Sequence, residues 1–182
     1  YHNTMPFTID GKLRSGVFEL EGDVSSQYVT GLLFALPLLD GDSEIRMLSK
    51  LESKPYVDLT IACLRHFGIA VQETEQGYAV AGGQQYHACD LTVEGDYSQA
   101  AFFCVANALG SDITLTNLNP ESVQGDKKIV EIVREMCYNR EQGLPAGFTV
   151  DAADIPDLVP ILAVLATFGT APSSITGAHR LA

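Results

Sequence analysis

Three consecutive polar residues, Ser25, Ser26 and Gln27, have the types and the position best suited to chemistry in this sequence. They follow a Gly-Asp turn and precede an apolar run, so they would lie where a helix begins. Free N–H groups and the positive end of the helix dipole at such a position bind anions, and serine hydroxyls extend the site. The alternative is simple N-capping, for which serine is among the favoured residues.

A second polar group, Ser53-Lys54-Pro55-Tyr56, marks the start of another predicted helix. Serine suits the N-cap position and proline suits the first turn. Lys54 could supply a cation to an anionic ligand or remain a solvated side chain. The functional interpretation requires Ser53 to converge with Ser25 and Ser26 on one ligand.

The third candidate group is the pair of carboxylates in Asp154-Ile155-Pro156-Asp157. Asp154 is expected to be a helix N-cap, and Asp157 would lie in the first turn, where a negative charge interacts favourably with the helix dipole. Asp157 is also a candidate general base. That role requires it to lie beside a substrate hydroxyl, because geometry decides before pKa does.

An internal repeat supplies the elements that would position these residues. Each full copy reads as β-α-β-α-β-β, which predicts sheets and helices in layers and an α/β (α+β) fold. The first copy predicts a strand from Val17, a helix over 28–39, a strand over 44–48, a helix over 56–67 and a hairpin over 69–82.

The second copy predicts a strand over 91–93, a helix over 100–109, a strand over 112–118 and a helix over 126–137. The third copy predicts a strand over 148–151, a helix over 158–167 and a strand over 173–176. The second copy has no hairpin between Tyr138 and Phe148. Either that hairpin is deleted, or the sequence omits a segment. We favour the omission, because the loss of two strands would leave a bare sheet edge.

Composition excludes several classes of function. The chain of 182 residues is 46% hydrophobic and carries a net charge of −12, which predicts a globular protein and argues against nucleic acid as a partner. The four cysteines form no Cys-x-x-Cys pair, which argues against a metal site and fits a reducing cytoplasm. No apolar run approaches the roughly 20 residues of a membrane span. The sequence also contains no nucleotide-binding glycine motif.

Five motifs can be read along the chain: Gly22–Gln27, Ser53–Asp58, Val93–Ser98, Gln124–Asp126 and Asp154–Pro160. In their order and spacing they resemble the 5-enolpyruvylshikimate-3-phosphate synthase family, and the chain resembles the central part of that family. The resemblance implies the enolpyruvyl transferase fold, an inverse α/β barrel of six repeated units in two domains that close on the substrates. It assigns residues 1–88 to the shikimate-3-phosphate-binding domain and residues 89–182 to the second domain.

The resemblance further implies an activity without metal or organic cofactor. The enolpyruvyl group of phosphoenolpyruvate is transferred to the 5-hydroxyl of shikimate 3-phosphate, and phosphate is released. Matched by motif, Ser25, Ser26 and Ser53 would hold the phosphate of shikimate 3-phosphate. Gln27 would lie between the two substrates, and Tyr56 would pack near shikimate. Asp157 would bind the shikimate hydroxyls and act as the base.

The same resemblance indicates what this chain lacks. The family's Lys-Glu-x-x-Arg motif and most of its substrate-binding cations fall outside the sequence, so we expect the isolated chain to be inactive. The expected protein is a cytoplasmic monomer whose partners are small anions. Two alternatives are an enolpyruvyl transferase acting on UDP-N-acetylglucosamine and a non-catalytic repeat or binding module of the same fold.

Overall fold

The computed structural model describes residue 8 and residues 10–181, and this part of the chain is a mixed α+β protein. None of the helices in these residues has the length and apolar character that crossing a membrane requires. The strands are β1 (Val17–Leu20), β2 (Ser43–Met47), β3 (Gln72–Thr74), β4 (Gly77–Val80), β5 (Thr149–Asp151) and β6 (Ser174–Thr176). The helices are α1 (Ser26–Ala35), α2 (Lys54–His66), α3 (Tyr97–Ala108), α4 (Lys128–Glu141) and α5 (Val159–Ala166).

The first four strands form one sheet in the order β1-β2-β4-β3. The first two strands are parallel, whereas β2 and β4 and the hairpin β3–β4 are antiparallel. Ile45 is paired with Phe18 on one side and Tyr78 on the other, and it is fully buried. This register directs the apolar side chains of the sheet toward the helices.

Two helices cover this sheet and complete the first hydrophobic core. Val29 and Leu33 of α1 pack with Val57 and Leu64 of α2, and all four side chains are at most 1% exposed. Helix α1 ends at Ala35 and continues as a 3₁₀ turn, whereas the sequence predicts a helix to residue 39. The proline at position 37 explains the early end, because it has no N–H to donate to the preceding turn.

A second hydrophobic core forms from the later helices and the short parallel pair β5–β6. Helix α5 supplies Leu162, which is fully buried against Ala101 of α3 and Ile129 of α4. The buried residues of this cluster lie between positions 101 and 165, and those of the first core lie between 29 and 80. Each half of the chain therefore packs around its own apolar cluster.

The strands predicted over 91–93 and 112–118 are wrong, because the structure contains no strand in either segment. One backbone hydrogen bond, from Gly95 N to Asn117 O, links the residue two positions after the first segment to the second segment. Asparagine amides satisfy other backbone groups: Asn107 bonds both the N–H and the C=O of Ile113, and Asn117 donates to Val93 O. An isolated two-stranded pair is marginal in water, and these side-chain contacts compete with its ladder.

The segment between Tyr138 and Phe148 connects α4 directly to β5. Helix α4 extends to Glu141, four residues beyond its predicted end, and Gly143 follows with a positive φ of 67°. Ala146 is buried and exchanges hydrogen bonds with Thr170, donating to its hydroxyl at 3.0 Å. The connection is thus anchored to the loop after α5.

Candidate active site

The first predicted site group lies at the beginning of α1. Ser25 is the N-cap, with extended backbone angles, and its Oγ accepts a hydrogen bond from Gln27 N at 3.2 Å. The capping interpretation of this serine is confirmed. Ser25 and Ser26 are partly buried and Gln27 is exposed, so all three residues at the beginning of the helix are at least partly accessible to solvent.

The loop before α1 lies directly against the loop before α2. Gly22 donates its N–H to Ser49 Oγ at 2.8 Å, and its carbonyl accepts from Glu52 N at 3.0 Å. A Cβ at Gly22 would lie 2.7 Å from the carbonyl oxygens of both Ser49 and Lys50. Only a glycine therefore permits this approach, and the approach sets the spacing between the two groups of predicted phosphate-binding serines.

Ser53 is placed by backbone contacts and not by capping. It occupies the N-cap position of α2 in the left-handed region, with φ of 57°, and its side chain makes no cap hydrogen bond. It is only 3% exposed. Its N–H donates to Ala153 O at 3.1 Å, which joins the beginning of α2 to the turn that carries Asp157. A non-glycine residue in this conformation is strained, and such positions concentrate at functional sites.

Lys54 is engaged in two ion pairs. Its Nζ contacts Asp58 Oδ1 at 2.7 Å and Glu73 Oε1 at 3.3 Å. Its positive charge is therefore offset by two carboxylates of the same half of the molecule. Lys54 is therefore neither a free cation for a ligand nor a simply solvated side chain, the two roles that the sequence allows.

Tyr56 crosses from the first half of the chain to the second. Its hydroxyl donates to Asp126 Oδ2 at 2.9 Å, and Asp126 lies in the 3₁₀ turn that precedes α4. Burial and the negative charges of Asp126 and Asp157 raise the pKa of the tyrosine well above its usual value. The phenol is therefore a hydrogen-bond donor at neutral pH and not a proton source.

Asp126 is a buried carboxylate with an incomplete set of partners. It is 3% exposed, and within the described residues its Oδ1 has no hydrogen-bond partner. Burial raises its pKa to about 6; the Tyr56 hydrogen bond opposes that shift, and the charges of Asp157 and Asp96 add to it. Burying a carboxylate with an unsatisfied oxygen costs free energy, so its presence calls for a functional explanation.

A cavity of about 870 Å³ lies between the two halves, and Tyr56, Asp126 and Asp157 line one part of it. The remainder is lined by one face of α2 and by residues of the segments 91–98 and 117–124. Asp157 is exposed in the 3₁₀ turn Pro156–Leu158, as the sequence predicts for a residue in a first turn. The structure brings Tyr56 and Asp157 together here. Ser25, Ser26, Gln27 and Ser53 do not line this cavity.

The predicted N-cap role of Asp154 is wrong. The turn begins at Pro156, so the cap position falls on Ile155, whose side chain makes no cap hydrogen bond and is 2% exposed. Apolar burial of the isoleucine decides where the helix begins. Asp154 is left exposed one position too early to cap it.

Asp126 and the residues around Glu94 are site features that the sequence reasoning missed. Gln124 accepts from Tyr97 N at 2.8 Å and donates to Glu94 Oε1 at 2.8 Å, and Ser122 donates to the same oxygen. This network fixes the loop before α4 and with it Asp126. The available signal was the motif Gln-Gly-Asp, but an acidic residue just before a helix is most often only a favourable charge at the helix start.

The fold and this cavity define an α+β protein with a cleft between two packed halves. The sequence model described as EPSP synthase (3-phosphoshikimate 1-carboxyvinyltransferase) matches residues 1–182. A 3-phosphoshikimate 1-carboxyvinyltransferase of Clostridium novyi is 44% identical over 190 residues, which cover 99% of this chain and 44% of the relative. The protein of that name from Clostridium kluyveri is 45% identical over 187 residues, covering 97% of this chain and 44% of the relative.

The chain therefore belongs to the EPSP synthase family. A more distant member, the 3-phosphoshikimate 1-carboxyvinyltransferase of Clostridioides difficile, is 39% identical over 189 residues, which cover 98% of this chain and 43% of the relative. The chain spans less than half the length of these relatives. The resemblance stated from the five motifs is confirmed.

Replacement of Gly22 tests the contact between the two serine loops. Gly22→Ala should lower the free energy of unfolding by about 1–3 kcal/mol, because the new methyl group overlaps the backbone of residues 49–51. Gly31→Ala is the matched control: it lies in α1 with no atom within 4 Å of its new Cβ, and it should raise that free energy by about 0.5–1 kcal/mol. Urea unfolding measures both, and equal effects would contradict the close approach.

The pH dependence of stability tests the burial of Asp126. Its pKa is raised from 3.8 to about 6, so between these values the folded protein binds more protons than the unfolded chain. Its contribution to stability is therefore complete below pH 3.8 and is lost as the pH rises through about 6.

The comparison is with Asp126→Asn, whose amide does not titrate. Relative to this variant, the wild type should lose about 1–3 kcal/mol of unfolding free energy between pH 4 and pH 7. Urea unfolding across that range provides the measurement, and the variant cancels the contributions of the other acids. Parallel pH profiles for the two proteins would show that Asp126 titrates normally.

Proposed function

We propose that this chain forms part of an enolpyruvyl transferase that acts on shikimate 3-phosphate and phosphoenolpyruvate and releases phosphate. Family membership supports the reaction. The observation that carries the proposal is the meeting at Tyr56 of two predicted site groups that are far apart in sequence. The tyrosine lies in the first turn of α2, directly after Ser53, and it shares a cavity wall with Asp157.

The phosphate of shikimate 3-phosphate is proposed to bind Ser25, Ser26 and Ser53, with Gln27 beside phosphoenolpyruvate. Two findings support this placement. The hydrogen bonds of Gly22 hold the two serine loops side by side. Both loops also precede helices of at least ten residues, so their N–H groups and hydroxyls offer an anion neutral donors.

Asp157 is the proposed base. It is exposed, and so accessible to a substrate, while the Ser53 N–H holds its turn close to the phosphate side through Ala153 O. The 5-hydroxyl oxygen would bond to C2 of phosphoenolpyruvate as its proton passes to Asp157, and an acid would protonate the methylene carbon. Elimination would then remove a proton from the new methyl group and expel phosphate, which restores the C=C double bond and gives the enol ether.

The net negative charge of the chain supports the proposal that residues outside it supply the cations of the site. Eleven basic and 23 acidic residues give a net charge of −12, yet both proposed substrates are anions. Lys54 is already paired with Asp58 and Glu73. Cations positioned at developing charge supply much of the transition-state stabilisation in such reactions. We therefore propose that the isolated chain does not catalyse the reaction.

We further propose that the chain has the two-domain architecture of the family. We assign residues 1–88 to the shikimate-3-phosphate-binding domain and residues 89–182 to the second domain, both built from β-α-β-α-β-β units of the inverse α/β barrel. The two separate apolar clusters support this division. Closure of the domains would then bring Asp157 toward the serine loops. The whole protein is proposed to be a cytoplasmic monomer.

Asp157→Asn in a full-length protein that carries this chain tests the assignment of the base. We expect kcat for phosphate release to fall by about 10²–10⁴-fold, because an amide cannot accept the hydroxyl proton. Binding of shikimate 3-phosphate, measured by calorimetry, should weaken by less than about tenfold, since the amide retains hydrogen-bonding atoms.

Asp154→Asn is the matched control, because this neighbouring carboxylate is exposed and does not cap the helix. Its kcat should stay within about twofold of the wild type, as for other exposed substitutions. Unchanged turnover in Asp157→Asn would remove Asp157 as the base. Equal losses in both variants would indicate a general charge effect.

A further inference from the structure

Tyr56 has one hydroxyl proton and two carboxylates near it. It donates that proton to Asp126 Oδ2 at 2.9 Å. Burial and the negative charges of Asp126 and Asp157 raise the pKa of the phenol, and all three residues line the cavity between the two halves. Both carboxylates are therefore candidate acceptors for a single donor.

We propose that Asp126 is a positioning residue that holds the hydroxyl proton of Tyr56 and so leaves the Asp157 carboxylate open to the substrate hydroxyl. This inference rests on the proposed function, in which Asp157 is the base. A carboxylate that accepts the phenol proton has one oxygen occupied, and a base must be within hydrogen-bond reach of the proton that it removes. Asp126 would prevent that occupation.

The burial of Asp126 supports a role beyond packing. It lines the cavity but is only 3% exposed, and within the described residues its Oδ1 lacks a hydrogen-bond partner. An apolar side chain at this position would avoid the cost of a buried, partly satisfied carboxylate. What an apolar side chain cannot do is accept the proton of Tyr56.

The surroundings of Asp126 are set by three elements. Tyr56 faces it from α2, Asp157 from the turn before α5, and Asp96 from the N-cap of α3. The network of Glu94, Ser122 and Gln124 fixes the loop that carries Asp126. The acceptor is thus held in place independently of the tyrosine.

The test is a set of variants in a full-length protein that carries this chain, assayed by phosphate release. Asp126→Leu keeps the branching of the aspartate side chain but has no acceptor, so the Tyr56 proton should turn to Asp157 and kcat should fall by about 10–100-fold with little change in KM for shikimate 3-phosphate. Asp126→Asn keeps an acceptor oxygen and should lose less than about threefold.

Removal of the competing hydroxyl should reverse the defect. Adding Tyr56→Phe to Asp126→Leu should restore kcat by about tenfold or more, because no proton is left to occupy Asp157. Tyr97→Phe is the matched control: it also removes a tyrosine hydroxyl, which donates to Asn119 O at 3.0 Å, and in the same background it should restore nothing.

The outcomes are distinguishable. A wild type that binds shikimate 3-phosphate and releases phosphate, but whose Asp126→Leu variant is fully active or is not rescued by Tyr56→Phe, would overturn the inference alone. A wild type with no phosphate release would overturn the proposed function, and this inference with it. Thermal unfolding shows whether Asp126→Leu is folded. If it is not, Asp126→Val replaces it in the same comparison.

Discussion

The hydrogen bond between Tyr56 and Asp126 is the contact on which the site depends. Tyr56 lies next to Val57 of the first core and Asp126 lies three residues before Ile129 of the second, so the bond fixes the beginning of α2 against the loop before α4. The Ser53 N–H adds a second link, to Ala153 O, three residues before the turn Pro156–Leu158 that carries Asp157. Two polar contacts thus determine how a proposed phosphate-binding helix start faces a proposed base.

The electrostatics of this cleft are unusual for a protein proposed to bind anions. Glu94, Asp96, Asp126 and Asp157 all line the cavity, and burial together with the charges of Asp157 and Asp96 raises the pKa of Asp126. The donors that this chain can offer an anion are largely neutral: serine hydroxyls and the N–H groups at the beginnings of helices. Cations supplied by other parts of a full-length protein would complete the charge balance, which makes the site a product of the whole chain.

Most of the fold could be predicted from periodicity, because apolar spacing and turn residues are local signals. The strands predicted over 91–93 and 112–118 do not form. Whether alternating segments pair depends on partner strands and on amides such as Asn107, which compete for their backbone groups. Asp154 was misassigned because the buried Ile155 decides where the turn begins. Tyr56 and Asp157 are predicted as site residues from family motifs, whereas the role proposed for Asp126 depends on a contact between distant segments that no local pattern encodes.

The most direct measurement of the central claim is a crystal structure of a full-length protein that carries this chain, with shikimate 3-phosphate bound. The account predicts phosphate oxygens within about 2.5–3.2 Å of the hydroxyls of Ser25, Ser26 and Ser53. It also predicts a ring hydroxyl within the same distance of Asp157, while Tyr56 still donates to Asp126. A phosphate bound away from these serines, or an Asp157 bonded to Tyr56 and remote from the ligand, would contradict it.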